Sequence, residues 1–285
     1  MPSASLPSLP APHAVRISLA PLPAKYHTTT HRIGAAIAEK LASYGANIVL
    51  NYTSDSSTQK TTDLARSLSE KYGISSIIVK ADMGDPSVGE TIIDSIKNSP
   101  QYSQSTTPLV VDIIINNAGI SRNTKIQDIT PEIFKEHYDV NVLGPLMLVK
   151  AAMPYLPHDG SGRIVSLSSV SASLGLPGQA IYGGTKAALE AVTRTWSREL
   201  AERCTATCVN PGPVVTDMYG GTSEDFKEVM RPFIERAPLM NAGGAKGRGA
   251  TPEEVAGCVG MLCLPESYWC TGSVVSCNGG MVMGV

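Results

Sequence analysis

Residues 162–169 read Gly162-Arg163-Ile164-Val165-Ser166-Leu167-Ser168-Ser169, and thirteen residues beyond Ser169 the chain runs Tyr182-Gly183-Gly184-Thr185-Lys186. The first stretch carries a short apolar run, Arg163 to Ser168, that reads as a strand, while Tyr182 to Glu202 reads as a long helix. The same alternation repeats on either side. Further strand candidates are Asn47 to Tyr52, Ser76 to Lys80, Leu109 to Asn116, Thr205 to Val209 and Ser273 to Cys277. Such short, continuously apolar runs suit a sheet covered on both faces. Between them Ile33, Ile37 and Leu41 recur at helical spacing until Gly45, Leu64, Leu68 and Tyr72 until Gly73, and a longer helical segment runs from Pro131 to Tyr155. Strand and helix in this order predict an α/β fold built on a doubly wound parallel sheet with right-handed crossovers. Ligands of such sheets sit beyond the carboxyl ends of the strands.

The bulk composition agrees. The chain has 285 residues, 42% of them hydrophobic and 17% charged, which describes one globular domain and not a disordered chain. A formal net charge of -2 gives no electrostatic case for a nucleic-acid partner. Six cysteines fall in the last third without a C-x-x-C pair or histidines at zinc spacing, so no metal site is expected and they read as small apolar residues of a reducing compartment. No run approaches the roughly 18 apolar residues of a membrane span. Pro2, Pro7, Pro10 and Pro12 break the N-terminal segment, which has no basic start and does not read as a signal peptide, so a cytoplasmic location is expected. Residues 218–249 interrupt the alternation with a short helical stretch and the glycine-rich run Asn241 to Gly249. This segment reads as a substrate lid or as a surface insertion without function. Met218, Tyr219, Phe226, Met230 and Phe233 there either line an apolar pocket or pack as core.

The strongest chemical signal is Tyr182 with Lys186. Four residues apart on a helix, the two side chains share one face. An ammonium near a phenol favours the phenolate, so the tyrosine can exchange a proton nearer neutrality than its ordinary value of about 10 allows. That suits a general acid facing a ketone, or a general base facing an alcohol. Taken alone, the pair also describes an ordinary helix surface.

Taken with their surroundings, these residues resemble the short-chain dehydrogenase/reductase family. Residues 162–169, Tyr182 to Lys186 and Asn210-Pro211-Gly212-Pro213-Val214-Val215-Thr216-Asp217 are similar to its second half. Asn116-Asn117-Ala118-Gly119 matches the family turn after the fourth strand, and Asn141 falls where the family keeps an asparagine. Thr251-Pro252-Glu253-Glu254 and the run from Thr271-Gly272 to Asn278-Gly279-Gly280 resemble its closing helix and last strand. The likeness covers about residues 33–283 and is nearest in appearance to fungal tetrahydroxynaphthalene-reductase-like and bacterial 3-oxoacyl-carrier-protein-reductase-like members.

The resemblance implies a Rossmann-like single domain over residues 33–285, with 1–32 an atypical N-terminal segment. It implies a catalytic set of Asn141, Ser169, Tyr182 and Lys186. Tyr182 would exchange the proton, Lys186 would lower its pKa and bind the nicotinamide ribose, Ser169 would hold the substrate oxygen and Asn141 would support a relaying water. Asn141 can also be read as a helix-bend residue bonding nearby main chain. Cofactor contacts would come from Arg32, Ile33, Gly34, Tyr52, Asp82, Asn117, Ala118, Gly119, Tyr182, Lys186, Val214 and Thr216, with Pro211 and Gly212 beside them. Asn117 to Gly119 equally make a tight turn, and Asp82 an ordinary turn aspartate. The second strand ends in Asn51-Tyr52-Thr53-Ser54 with no acid before Asp55, which favours NADP over NAD. Lys60 and His31 are candidate phosphate partners or plain surface residues. The implied activity is an NADP-dependent ketoreductase of a secondary-metabolite pathway, forming a homotetramer or homodimer through its two long helices, with no membrane partner.

The likeness breaks at the family's glycine-rich loop. Thr28 and Arg32 stand where its first two glycines belong, and only Gly34 survives. Pro21 and Pro23 rule residues 21–27 out as a central strand, whereas Val15 to Ala20 can supply one at the expense of a long irregular loop. Three readings stand. A misplaced splice junction has replaced the strand and loop; or a modified loop uses Arg32 against phosphate charge; or the protein has lost the dinucleotide and performs cofactor-independent acid/base chemistry as an isomerase, dehydratase or cyclase. A non-catalytic scaffold is a fourth class, against which the intact Asn141, Ser169, Tyr182 and Lys186 argue.

Overall fold

The computed structural model describes residues 15–19, 33–103, 108–242 and 247–283. Seven parallel strands form one sheet in the order β3-β2-β1-β4-β5-β6-β7. They are β1 (Val15–Leu19), β2 (Asn47–Tyr52), β3 (Ser76–Lys80), β4 (Val111–Asn116), β5 (Gly162–Leu167), β6 (Cys204–Pro211) and β7 (Val274–Cys277). The expected α/β, doubly wound class is the one observed. Strand β1 lies inside the sheet, paired with β2 and β4, and its register against β4 shifts between Val15 and Arg16. Val15 to Leu19 therefore supply the strand that the proline-rich residues after them cannot.

Both faces of the sheet are covered, which is why its strands read as unbroken apolar runs. Alternate side chains of β4 and β5 enter opposite cores. Ile114 and Ile164 pack with α3 (Val88–Lys97) and α5 (Gly144–Ala152), while Ile113, Ile115, Val165 and Leu167 pack with α1 (Ile33–Ser43) and α8 (Pro252–Leu262). The first layer needs very close backbone approach. A Cβ on Gly89 would meet the Met147 carbonyl oxygen at 2.1 Å, and one on Gly144 would meet that of Met83 at 2.4 Å. The remaining helices named below are α2 (Thr58–Tyr72), α4 (Pro131–Tyr138), α6 (Ala180–Glu199) and α7 (Glu224–Arg236).

Two sequence expectations need correction. The single helix from Pro131 to Tyr155 is two helices, α4 and α5, joined by a π-helical turn at Asp139–Leu143 and closed by a 3₁₀ turn at Met153–Tyr155. The later helix starts at Ala180, two residues before Tyr182, and stops at Glu199. All six cysteines are free; Cys204, Cys208 and Cys263 are buried, but Cys258, Cys270 and Cys277 are only half-buried. Among the described residues no helix is long and apolar enough to cross a membrane, and no cluster of side chains could hold a metal ion. In the interrupting segment, α7 is capped by the Ser223 hydroxyl and bears Met230 as a buried residue.

Candidate functional site

The strand order reverses between β1 and β4, and the helices α1 and α5 that follow them pack on opposite faces, the arrangement in which a crevice opens at the carboxyl ends of the two strands. The chain leaves β5 at Leu167, passes Ser168 and Ser169, makes one helical turn at Ser171–Leu174, and reverses at Gly175 in the left-handed region (φ 63°). Helix α6 then returns across the crevice. Its second residue after Tyr182 must be small on one side, because a Cβ on Gly184 would stand 3.1 Å from the Tyr138 hydroxyl. Gly183 is more constrained still: its Cβ would lie 2.5 Å from the Ser171 carbonyl oxygen.

On α6 the Lys186 side chain is almost wholly buried, with 3% exposed. Its Nζ donates to the Leu167 carbonyl at 2.7 Å and lies 5.7 Å from the centroid of the Tyr182 ring. Tyrosine and lysine thus share one environment. Burial, opposed only in part by Cys208, lowers the ammonium pKa to about 8. The half-buried Tyr182 phenol moves the other way. Packing around it raises its pKa above the ordinary value, and the hydrogen bond with Ser169 only partly opposes this. This direction is opposite to the depression expected from Lys186, with burial the largest cause.

Asn141 sits in the π-helical turn, fully buried. Its Oδ1 accepts the Ile120 N–H at 2.8 Å, while Nδ2 donates to the Ile120 carbonyl at 2.9 Å and to Thr185 Oγ1 at 3.0 Å. The Thr185 hydroxyl donates in turn to the Tyr182 carbonyl at 2.7 Å. One asparagine thereby ties the loop after β4 to the helix that bears Tyr182. π-Turns of this kind recur at functional sites because the extra residue re-aims one side chain. Thr185 and Ile120 escaped the sequence reading. Thr185 had a detectable signal, a hydroxyl on the buried side of the helix, but Ile120 contributes only main chain.

The cofactor-binding candidates divide by position. Ala118 is buried, and Gly119 approaches so closely that a Cβ would lie 3.3 Å from Lys186 Nζ and 3.4 Å from Asn141 Oδ1. Asn117 is half-buried between them and β4. Asn116 donates to Ser166 Oγ at 3.2 Å, leaving its buried Oδ1 without a hydrogen-bond partner. At the end of β2, Tyr52 is buried, and Asn51 is spent on the Val79 and Ala81 carbonyls at 3.2 and 2.9 Å. The first acid, Asp55, pairs with Lys80 at 2.6 Å. Asp82 is exposed and accepts the Gly84 N–H at 3.0 Å, which is the turn arrangement. Val214 is buried and forms a parallel bridge with Ala250, and Thr216 Oγ1 donates to the Val214 carbonyl at 3.2 Å. Gly34 is buried and Ile33 half-buried at the start of α1. Arg32 and His31, with the altered glycine loop, lie outside the described residues.

A nicotinamide dinucleotide fits what surrounds the crevice. Small residues at Ala118 and Gly119 leave main chain exposed to a ligand, an unpaired amide oxygen on Asn116 lies below them, and the end of β2 offers no free carboxylate.

Comparison with known proteins points the same way. A model of the family described as enoyl-(acyl carrier protein) reductase matches residues 28–282. L-xylulose reductase of Aspergillus niger is 46% identical over 279 residues, spanning 87% of this chain and 93% of the relative. The short-chain dehydrogenase/reductase FrzI of a Cladobotryum species is 36% identical over 252 residues, spanning 88% and 92%. Among solved structures, L-sorbose reductase of Gluconobacter frateurii, complexed with NADPH and L-sorbose, superposes with a TM-score of 0.76 at 26% identity over 96% of this chain and 98% of its own.

Proposed function

Because the chain belongs to the short-chain dehydrogenase/reductase family, and is an oxidoreductase on that account, we propose that it is an NADP-dependent ketoreductase whose substrate is a small polyhydroxylated ketone, an open-chain ketose. The observation that carries this reading is the enclosure of Ser169, Tyr182 and Lys186 at one strand end, with Lys186 Nζ bonded to Leu167 and 5.7 Å from the Tyr182 ring. Similarity to reductases of L-xylulose and L-sorbose favours a sugar over the secondary metabolite suggested by the sequence.

Bound NADPH would supply hydride to a carbonyl carbon. The residues that would hold it are Ile33 and Gly34, with Arg32, at the start of α1, then Tyr52, Asp82, Asn117 to Gly119, Lys186, Val214 and Thr216. For its own part, the chain provides a neutral phenol at physiological pH, since burial holds the Tyr182 proton in place. Tyr182 is thus set as the general acid that protonates a substrate oxygen. Ser169 offers a hydroxyl to the same oxygen, a bond that strengthens as negative charge develops there. Lys186, titrating near pH 8, returns a proton toward Tyr182, and Asn141 fixes the helix turn between them. Assembly as a homodimer or homotetramer through the segment of α4 and α5 and through α6, and a cytoplasmic setting, belong to the same proposal.

A cofactor-independent acid/base enzyme is the second reading, favoured by the missing glycines at Thr28 and Arg32. Fluorescence titration with NADPH separates the two. Saturable binding, NADPH oxidation on addition of L-xylulose, and a loss of kcat of about 10²-fold or more in Tyr182→Phe support the ketoreductase. Failure to bind NADPH refutes it.

A further inference from the structure

Three consecutive residues at the exit of β5 meet three successive turns of α6. The Leu167 carbonyl accepts from Lys186 Nζ at 2.7 Å, the Ser168 hydroxyl donates to the Glu190 carboxylate at 2.6 Å, and Ser169 hydrogen-bonds to Tyr182. Tyr182, Lys186 and Glu190 follow one another at four-residue intervals and so occupy one stripe of the helix. The chemistry proposed above uses the first two. It leaves Glu190 unexplained.

Ser168 is held on two sides. It is only 4% exposed, its N–H donates to the Val209 carbonyl of β6 at 2.8 Å, and its side chain reaches across to α6. Two residues on, the Val170 N–H donates to the Pro211 carbonyl at 3.0 Å. Ser169 therefore hangs between two fixed neighbours, and besides Tyr182 its own hydroxyl makes longer contacts of 3.2 Å with Ser171. Of the bonds around it, the Ser168 to Glu190 bond joins a hydroxyl to a carboxylate, a type that is short and roughly twice as strong as its neutral counterpart. It also connects the strand exit directly to the helix that carries the phenol.

We propose that Glu190 is a positioning residue, which acts through Ser168 to keep the Ser169 hydroxyl in register with Tyr182. Its effect on turnover rests on the ketoreductase reading; its effect on the strand exit does not. An oxygen-binding hydroxyl works only when held within a few tenths of an ångström of its target, and displacement by about 1 Å costs on the order of 10²-fold.

The test uses the full chain with Glu190→Leu, Glu190→Gln, Ser168→Ala and the double variant Ser168→Ala/Glu190→Leu. In Glu190→Leu, kcat for NADPH-driven reduction of L-xylulose is expected to fall about ten- to a hundredfold, with KM for NADPH within twofold. Glu190→Gln, whose amide oxygen still accepts from Ser168, should stay within about threefold of wild type. The double variant should be no worse than its worse single parent, since both remove one bond. Hydrogen–deuterium exchange of the segment 167–174 needs no substrate, and should quicken in Glu190→Leu and Ser168→Ala but not in Glu190→Gln. Unchanged exchange and kcat in Glu190→Leu overturn the proposal, as do additive losses in the double variant. If Glu190→Leu fails to fold, Ser168→Ala, which deletes one hydroxyl, decides by the same readouts. A wild-type chain that reduces no carbonyl, with a segment that nonetheless loosens in the variants, refutes the ketoreductase reading and leaves the positioning role standing.

Discussion

A Cβ on Gly119 would stand 3.3 Å from the Nζ of Lys186, so the loop after β4 and the helix bearing Tyr182 touch with no side chain between them. Gly119 does not have a positive φ, and a substitution there acts by bulk alone. One methyl needs only a small retreat of a flexible lysine end. Gly119→Ala is therefore expected to fold normally and to lose about tenfold in kcat. Gly119→Val adds branches that must displace Lys186 or Asn141, and its kcat should drop by about 10²-fold or more. Steady-state kinetics beside thermal melts checks this: equal activity in all three proteins would show that the contact is irrelevant.

Lys186 makes a pH prediction with a definite sign. Burial lowers its ammonium pKa from 10.5 to about 8. Below pH 8 both folded and unfolded chains carry the proton; between about 8 and 10.5 the unfolded chain keeps it and the folded chain does not. The unfolded state then binds more protons, so this group makes unfolding free energy rise with pH across that window. Lys186→Met removes the contribution. Urea midpoints measured from pH 7 to 10.5 should show wild type gaining on the variant as pH rises through the window. A constant difference would mean that Lys186 is not desolvated. Reductase turnover, if it needs the ammonium, should decline above about pH 8 in wild type.

Asn141 tests the join between loop and helix. Its amide satisfies both the N–H and the carbonyl of Ile120 and also meets Thr185 Oγ1, with no exposure to solvent. Asn141→Ala leaves the Ile120 N–H and carbonyl without that partner at a cost of about 1–3 kcal/mol. Asn141→Asp keeps the acceptor for the Ile120 N–H but sets an oxygen against the Ile120 carbonyl, and should be no better. Chemical denaturation gives the measurement. Stability within about 0.5 kcal/mol of wild type in both variants would contradict the hydrogen-bond pattern.

What the sequence could and could not disclose follows from the range of the interactions involved. Strands β2 and β3 match their expected bounds, β2 because nearly every residue of its run is buried and β3, at the sheet edge, because its Ile-Ile-Val run is bounded by polar residues. The Tyr182 and Lys186 pairing was legible because helical spacing alone puts them together. The π-turn at Asp139–Leu143 was not, since the bonds that accompany it run from Asn141 to Ile120, 21 residues away. Nor was the upward shift of the Tyr182 pKa, which comes from burial by elements distant in sequence. Ser168 and Glu190 illustrate the same limit: each is ordinary in sequence, and only the return of α6 along β5 sets them 2.6 Å apart.

The start of α8 offers a last test, at acid pH. Thr251 and Glu254 form a capping box, and Arg248 grips both oxygens of Glu254 at 2.8 Å. These bonds, the Arg248 contact foremost, lower the Glu254 pKa from 4.5 to about 2. A carboxylate with a depressed folded-state pKa stabilises fully above its unfolded value, so its contribution is lost as pH falls from 4.5 toward 2. Glu254→Gln should therefore lie below wild type at pH 6 and approach it near pH 2.5. The same cap anchors Ala250, whose bridge to Val214 holds the segment expected to face the nicotinamide. Hence the variant should also weaken NADPH binding at pH 6, by several-fold in fluorescence titration. Stability curves that stay parallel down to pH 2.5 would show that Glu254 is not bonded as described, and unaltered NADPH affinity would separate the cap from the binding segment.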